Sequence, residues 1–235
     1  MKILAIGIHP DDVELGCGGT VILAARQGHD VAVVDLSDGT SSSNGTREER
    51  AGEAAAAAKH MGAEKRRNLG LPDTGIKSED SGQLLSVVAC LREEKPDLVL
   101  APSPDDPHPD HASGGRLIER ALYLAGVRGF ERRTEPWRAR HVLVYPGRND
   151  VDPDVVVDVT ATHAAKLEAI LLHRSQFVPE EGRAKTPLNS PHFLAFIEAR
   201  ARIHGRAIGV AFGEPFMSPA PLGLSDFNVF ENAES

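Results

Sequence analysis

The sequence predicts an α/β fold, an open and mostly parallel sheet with helices on both faces. Three observations predict it. Short apolar runs alternate with helix-forming segments along the 235 residues, the pattern of parallel strands joined by crossover helices. Two of these runs lead into nearly the same tetrapeptide, His9-Pro10-Asp11-Asp12 and His108-Pro109-Asp110-His111. Strands that carry polar groups at their C-terminal ends are how an open α/β sheet builds a site.

The elements follow in order. Residues 2–8 (K-I-L-A-I-G-I) read as a strand, followed by a helix from about Gly18 to Gln27. Residues 31–36 (V-A-V-V-D-L) read as the next strand, and Ser37 to Thr46 is a long polar loop rich in turn formers. A helix over 47–61 contains the strongly helix-forming run Ala54 to Ala58. A short strand falls at 66–69, an amphipathic helix at 83–94 and a strand at 97–101. After the second tetrapeptide a helix covers 111–125. Strands follow at 141–145 and 155–159, then helices at 161–173 and 191–203. Loops at 146–154 and 178–190 frame a cleft, and the chain after Met217 reads as extended, fraying at its end. No repeat or domain boundary interrupts this order, so residues 1–235 read as a single domain.

Composition excludes several classes. A net charge of −8 disfavours nucleic acid, whose phosphates need a basic face. Cys17 and Cys90 form no spaced framework, so a disulfide-stapled secreted module is not expected. No apolar run reaches the length of a membrane span, and the N-terminal segment lacks a signal-peptide pattern. The expectation is a cytoplasmic protein with no membrane partner.

His9 and Asp12 stand three residues apart just after a strand. They can meet one cation if the chain curls into a helical turn there, and His111 can close the set from the neighbouring strand. His-Asp-His with one position open to water is a catalytic zinc arrangement. Fe²⁺ also suits a mixed nitrogen and oxygen set. Asp11 is left over beside this site, placed to take a proton from water. His108 is left over one turn from His111, able to donate where negative charge develops. One H-P-D-D alone is as readily a turn whose Asp caps the next helix; the second, His-rich copy after another strand favours the metal.

These residues carry a resemblance. Gly7 to Thr20 (G-I-H-P-D-D-V-E-L-G-C-G-G-T) and the later H-P-D-H resemble the LmbE/PIG-L family of zinc-dependent N-acetylglucosaminyl deacetylases. The likeness continues through Arg50 and Glu53, L-P-D-T (71–74), V-V-D-V (156–159), H-R-S-Q-F (173–177) and R-A-R-I-H-G…I-G-V-A-F-G-E-P-F (200–216). H-R-S-Q-F and G-E-P-F point within it to the bacillithiol-biosynthesis deacetylases. The resemblance implies a Rossmann-like, three-layer fold and zinc on His9, Asp12 and His111. It implies Asp11 as general base, His108 as the oxyanion-stabilising or acid residue, and Arg50 near the substrate. It also implies a homo-oligomer, a hexamer in similar members, and an amino-sugar substrate, GlcNAc-malate. Related proteins carry tyrosines near the C-terminal motifs where this chain has Ile203, His204 and Phe212.

Other residues divide between two roles. Glu14 reads as a support behind a ligand histidine or as an exposed acid in the first turn of its helix, the former favoured. One of Asp105, Asp106 and Asp110 is expected to orient His108, and Asp110 is taken as a supporting residue. Asp73 reads equally as a cleft residue or a turn acid. His173 and His192 read as partly buried helix histidines, and Cys17 as a small core residue. Arg50 in R-E-E-R-A-G-E reads, from its own segment, as a charged helix face. Gly16-Cys17-Gly18-Gly19-Thr20 either holds phosphate on backbone amides or lets a helix pack closely on the sheet.

The leading reading is a metal-dependent hydrolase that releases acetate from an N-acetylglucosamine unit. Chitooligosaccharides, antibiotic sugars and thiol-conjugate amides are alternative substrates. A nucleotide- or phosphate-binding α/β protein is the non-enzyme alternative, and a metal or sugar binder with a decayed site is a third.

Overall fold

The computed structural model describes residues 1–149 and 151–223. In chain order the elements are β1 (Lys2–Gly7), α1 (Asp12–Arg26), β2 (Asp30–Ser37), α2 (Arg47–Met61), β3 (Lys65–Leu71), α3 (Ser81–Glu94), β4 (Leu98–Pro102), α4 (Pro109–Ala125), β5 (His141–Tyr145), β6 (Val155–Asp158), α5 (His163–Leu172), α6 (Arg174–Phe177), α7 (Phe193–Ala207) and β7 (Gly213–Phe216). Five strands form a parallel sheet in the order β3-β2-β1-β4-β5. The α/β expectation holds.

Period-two alternation splits the strands between two faces. Leu4, Ile6, Val34 and Leu36 pack with α3 and α4 on one side. Ile3, Ala5, Val31 and Val33 pack with Val13, Val21, Met61 and Ala169, from α1, α2 and α5, on the other. Local signals set the helix ends. Thr46 and Glu49 form a reciprocal capping box at α2, and Gly62 ends that helix at φ 77. Asp80 caps α3.

Chain order reverses between β1 and β4: β2 and β3 lie outward from β1, while β5 lies outward from β4. Their C-terminal ends open a crevice at this switch point, where open α/β sheets bind ligands. Both tetrapeptides lie there.

Several boundaries differ from expectation. Helix α1 starts at Asp12, not Gly18, because the first tetrapeptide is itself the helix entry. Cys17 breaks it (φ −145, ψ 20), so the glycine-rich turn is a kink inside the helix. The segment 155–159 does not join the parallel sheet. Its strand β6 pairs antiparallel with β7, which four residues carrying Pro215 do not announce. The segment expected as one helix over 161–173 is α5 followed by the short α6. The end of the C-terminal tail lies outside the described residues. Among the described residues, no helix is long and apolar enough to cross a membrane.

Candidate active site

His9 follows β1 directly, and the chain then turns sharply into α1. Asp12 Oδ2 accepts from the Ile8 and His9 amides at 3.0 and 2.8 Å, which locks its carboxylate. The second tetrapeptide is also a helix entry: His108 is the N-cap of α4, with Pro109 in the first turn. His111, one turn on, faces back across the crevice. Asp12 Oδ1 lies 3.4 Å from His111 Nε2. His9 Nδ1 lies 3.3 Å from His111 Nε2 and 3.8 Å from Asp12 Oδ2. Bonds of about 2.0–2.1 Å in a tetrahedron around zinc imply ligand separations near 3.3 Å; the two inner nitrogens meet this spacing, and the Asp12 carboxylate stands within 3.4–3.8 Å of them, so the three side chains could share one ion.

The outer ring nitrogens supply a second test. His9 Nε2 faces Asp73 Oδ1 at 3.2 Å and Asp110 Oδ2 at 3.6 Å. His111 Nδ1 faces Asp106 Oδ2 at 3.4 Å. These carboxylates accept N–H bonds, which leaves lone pairs on the two inner nitrogens that face each other. A cation between them removes that repulsion, and a carboxylate behind each imidazole is the usual support for a metal ligand. The local field agrees. Burial lowers the pKa of His9, but Asp110 and Asp73 outweigh it and raise it to about 10. His111 is also raised, with Asp12 and Asp106 outweighing burial. Ground that favours a proton so strongly also favours a divalent cation.

Asp11 is buried and sits at φ 121, a conformation rare for any residue but glycine. Burial raises its pKa to about 6, against the opposing pull of Arg50. Arg50 is not on a solvated helix face. It is 3% exposed, donates from Nη2 to Pro10 O at 2.8 Å and to Asp11 Oδ2 at 3.2 Å, and donates from Nη1 to Gly39 O. A Cβ at Gly39 would collide with this guanidinium, and its φ of +65 also suits glycine.

Among the described residues no carboxylate is bonded to the His108 ring; Asp106 Oδ1 accepts from its backbone amide at 2.8 Å. The Asp110 backbone N–H donates to His108 Nδ1 at 3.2 Å, which leaves the proton on Nε2. Burial, then the neighbouring His111 and His9, lowers its pKa and keeps it neutral. Asp110 instead directs its own carboxylate at His9 and at the Thr74 amide (2.7 Å). Asp106 takes the place behind His111. Asp73 belongs to the cleft.

Glu14 does not touch His9 or His111. It lies wholly buried behind the site, bonded to Arg66 and, at 3.0 Å, to His173 Nε2. His173 is thereby fully buried, while His192 is exposed. The glycine-rich kink is also taken: Glu214 accepts from the Gly19 and Thr20 amides at 2.9 and 2.7 Å and from Lys166 Nζ at 2.6 Å. The chain's own carboxylate fills the anion position that a phosphate-binding reading requires. Gly16 and Gly19 serve close packing, since a Cβ would meet the Tyr145 ring at 2.2 Å and Val159 at 2.9 Å.

The cleft holds about 240 Å³. His9, Asp11, Asp12, His108 and His111 line its floor, and Phe193, Phe196 and Arg200 of α7 line a wall. Ile203, His204 and Phe212 lie elsewhere: Ile203 is exposed, His204 is buried, and Phe212 stacks on His163 at 3.9 Å.

A sheet switch point that gathers a buried carboxylate, a neutral imidazole and a His-Asp-His cluster is an arrangement suited to hydrolysis. The chain belongs to the PIG-L family, described as GlcNAc-PI de-N-acetylase, which matches residues 4–122. It is 32% identical to the diacetylchitobiose deacetylase of Thermococcus kodakarensis over 77% of this chain and 71% of that protein. It is 28% identical to a probable N-acetyl-α-D-glucosaminyl L-malate deacetylase 2 of Bacillus subtilis, over 74% of this chain and 82% of that one. The solved structure of the conserved protein TT1542 from Thermus thermophilus superposes with a TM-score of 0.87 at 36% identity, covering 96% of this chain and 97% of that one. The protein is therefore an enzyme, a deacetylase that hydrolyses carbon–nitrogen amide bonds.

Proposed function

We propose that this protein is a zinc-dependent deacetylase of an N-acetylglucosamine conjugate, with GlcNAc-malate as its substrate. The observation that carries the reading is the buried Asp11 beside the His9, Asp12 and His111 cluster, with His108 lining the same floor. His9, Asp12 and His111 would hold a zinc ion, which when bound would polarise the amide carbonyl and acidify a water molecule; Fe²⁺ would suit the same donors. Asp11 accepts the proton of the attacking water. His108 donates from Nε2 to the oxygen that turns negative as the carbonyl carbon becomes tetrahedral. Asp11 then returns its proton to the amine nitrogen, the C–N bond breaks, and acetate and a free amino sugar leave. Arg50 keeps Asp11 in place beneath the substrate.

Arg148, exposed at the rim, adds positive charge to the cleft, which supports a carboxylate-bearing aglycone. Diacetylchitobiose is the second reading, favoured by the 32% identical relative. Phe193 and Phe196 would offer apolar rings to a second sugar. A single domain over 1–235 that assembles as a hexamer in the cytoplasm completes the proposal; exposed Ile203 and Tyr123 are apolar surface that such an assembly can cover.

The test is amine release from GlcNAc-malate, diacetylchitobiose and GlcNAc, with and without chelator and added Zn²⁺. Metal-dependent release far greater from GlcNAc-malate is expected. Preference for diacetylchitobiose selects the second reading, and no release from any of the three discards both.

A further inference from the structure

We propose that Asp73 is a positioning residue that couples the cleft-lining loop 38–45 to the ligand His9, with one carboxylate oxygen on each. The inference rests on the metal reading above and concerns a residue with no part in the proton transfers.

Asp73 lies in the turn after β3, and its side chain is 8% exposed. The turn is rigidly placed. Gly75 N bonds Pro72 O at 3.1 Å, and Thr74, at φ 59, donates its amide to Asp110 on α4. From there Asp73 Oδ1 faces His9 Nε2 at 3.2 Å, and Oδ2 accepts from the Ser41 amide at 2.6 Å. Gly39, Ser41 and Ser42 line the cleft. The loop is held at Gly39 by Arg50, which grips Asp11, and at Ser41 by Asp73, which grips His9. Its cleft-facing part is thus tied twice to residues that set the reacting geometry.

A carboxylate has only acceptors, so Asp73 can take the Ser41 N–H and the His9 Nε2–H together. That choice, shared with Asp110 Oδ2 at 3.6 Å, puts the lone pair of His9 on Nδ1, toward Asp12 and His111. An asparagine cannot serve both sides. With its oxygen on Ser41, its NH₂ meets Nε2 and pushes the ring proton to Nδ1, where the ion must bind. With the amide reversed, its NH₂ meets the Ser41 N–H and the loop loses its anchor. Reciprocity follows: whatever fixes His9 also steadies the loop, and the reverse.

The experiment measures Zn²⁺ affinity by competition with a chromophoric chelator, and hydrogen exchange across 38–45 with and without Zn²⁺. In the unaltered protein, zinc should slow exchange in this segment. Asp73→Asn should weaken zinc 10- to 100-fold, as losses behind a metal ligand typically do, and make loop exchange fast and indifferent to zinc. Asp106→Asn, which touches His111 and not the loop, should weaken zinc while metal-free exchange of 38–45 stays unchanged. Ser41→Ala keeps the backbone N–H and should leave both readouts unchanged. Zinc affinity of Asp73→Asn within twofold of the parent, or loop exchange in the parent that ignores bound zinc, overturns the coupling. A parent protein that binds no zinc overturns the metal reading instead.

Discussion

Arg50 and Asp11 form a buried pair, Nη2 to Oδ2 at 3.2 Å, between residues 39 apart in the chain. The guanidinium also satisfies the carbonyls of Pro10 and Gly39, so it fastens the turn that presents Asp11 as well as the carboxylate itself. It opposes the upward push of burial on Asp11. Replacing Arg50 with Gln removes that opposition and raises the pKa of Asp11. The acid limb of kcat/KM should therefore move to higher pH. A pH–rate profile checks it; an unmoved limb would separate Arg50 from the base.

Asp11→Asn should lower kcat by about 10²- to 10⁴-fold, the usual contribution of a positioned base. Bound zinc should remain, because the proposed ligands are His9, Asp12 and His111. Metal content by elemental analysis, read beside turnover, distinguishes a lost base from a lost site.

His108→Gln should cost about 10²–10³ in kcat, the scale of one oxyanion donor. KM should change little, since the bond strengthens only as charge develops. Steady-state kinetics on the preferred substrate decide; a rise in KM with kcat preserved would make His108 a ground-state contact.

Chelation should abolish amine release, and Zn²⁺ should restore it. Asp106→Ala removes the carboxylate 3.4 Å behind His111 Nδ1. The zinc needed for half-restoration should then rise about 10- to 100-fold, read as a titration of metal-free protein.

Glu14 is a stability residue. Its charge is held between Arg66 and His173 with no exposure, and these cations, prevailing over burial, keep its pKa well below the usual carboxylate range. A depressed folded pKa contributes stability that is present above the unfolded value of about 4.3 and is lost as pH falls below it. Glu14→Gln should cost about 3–5 kcal/mol near neutrality, the scale for breaking a buried pair. The gap to the parent should narrow in acid. Urea unfolding at several pH values measures both.

The sequence alone determined the strand-and-helix alternation and the two tetrapeptides at strand ends, and singled out His9, Asp12, His111, Asp11 and His108, which the structure gathers in one cleft. Those are local signals: period-two strands, helix entries and side-chain chemistry at short spacing. Tertiary structure decided which acid stands behind which histidine. Asp105, Asp106 and Asp110 crowd the second motif, and only the facing positions of β3, β4 and α4 assign Asp106 to His111 and Asp110, with Asp73, to His9. It also turned Arg50 from a helix-face cation into the partner of Asp11, and filled the glycine-rich kink with Glu214 from 195 residues away. Strand β7 escaped notice for the same reason, because its pairing with β6 is specified by long-range register. A local sequence pattern carries periodicity and propensity. The partner of a buried charge is set by which distant segment the sheet order brings alongside, and no short stretch of chain contains that information.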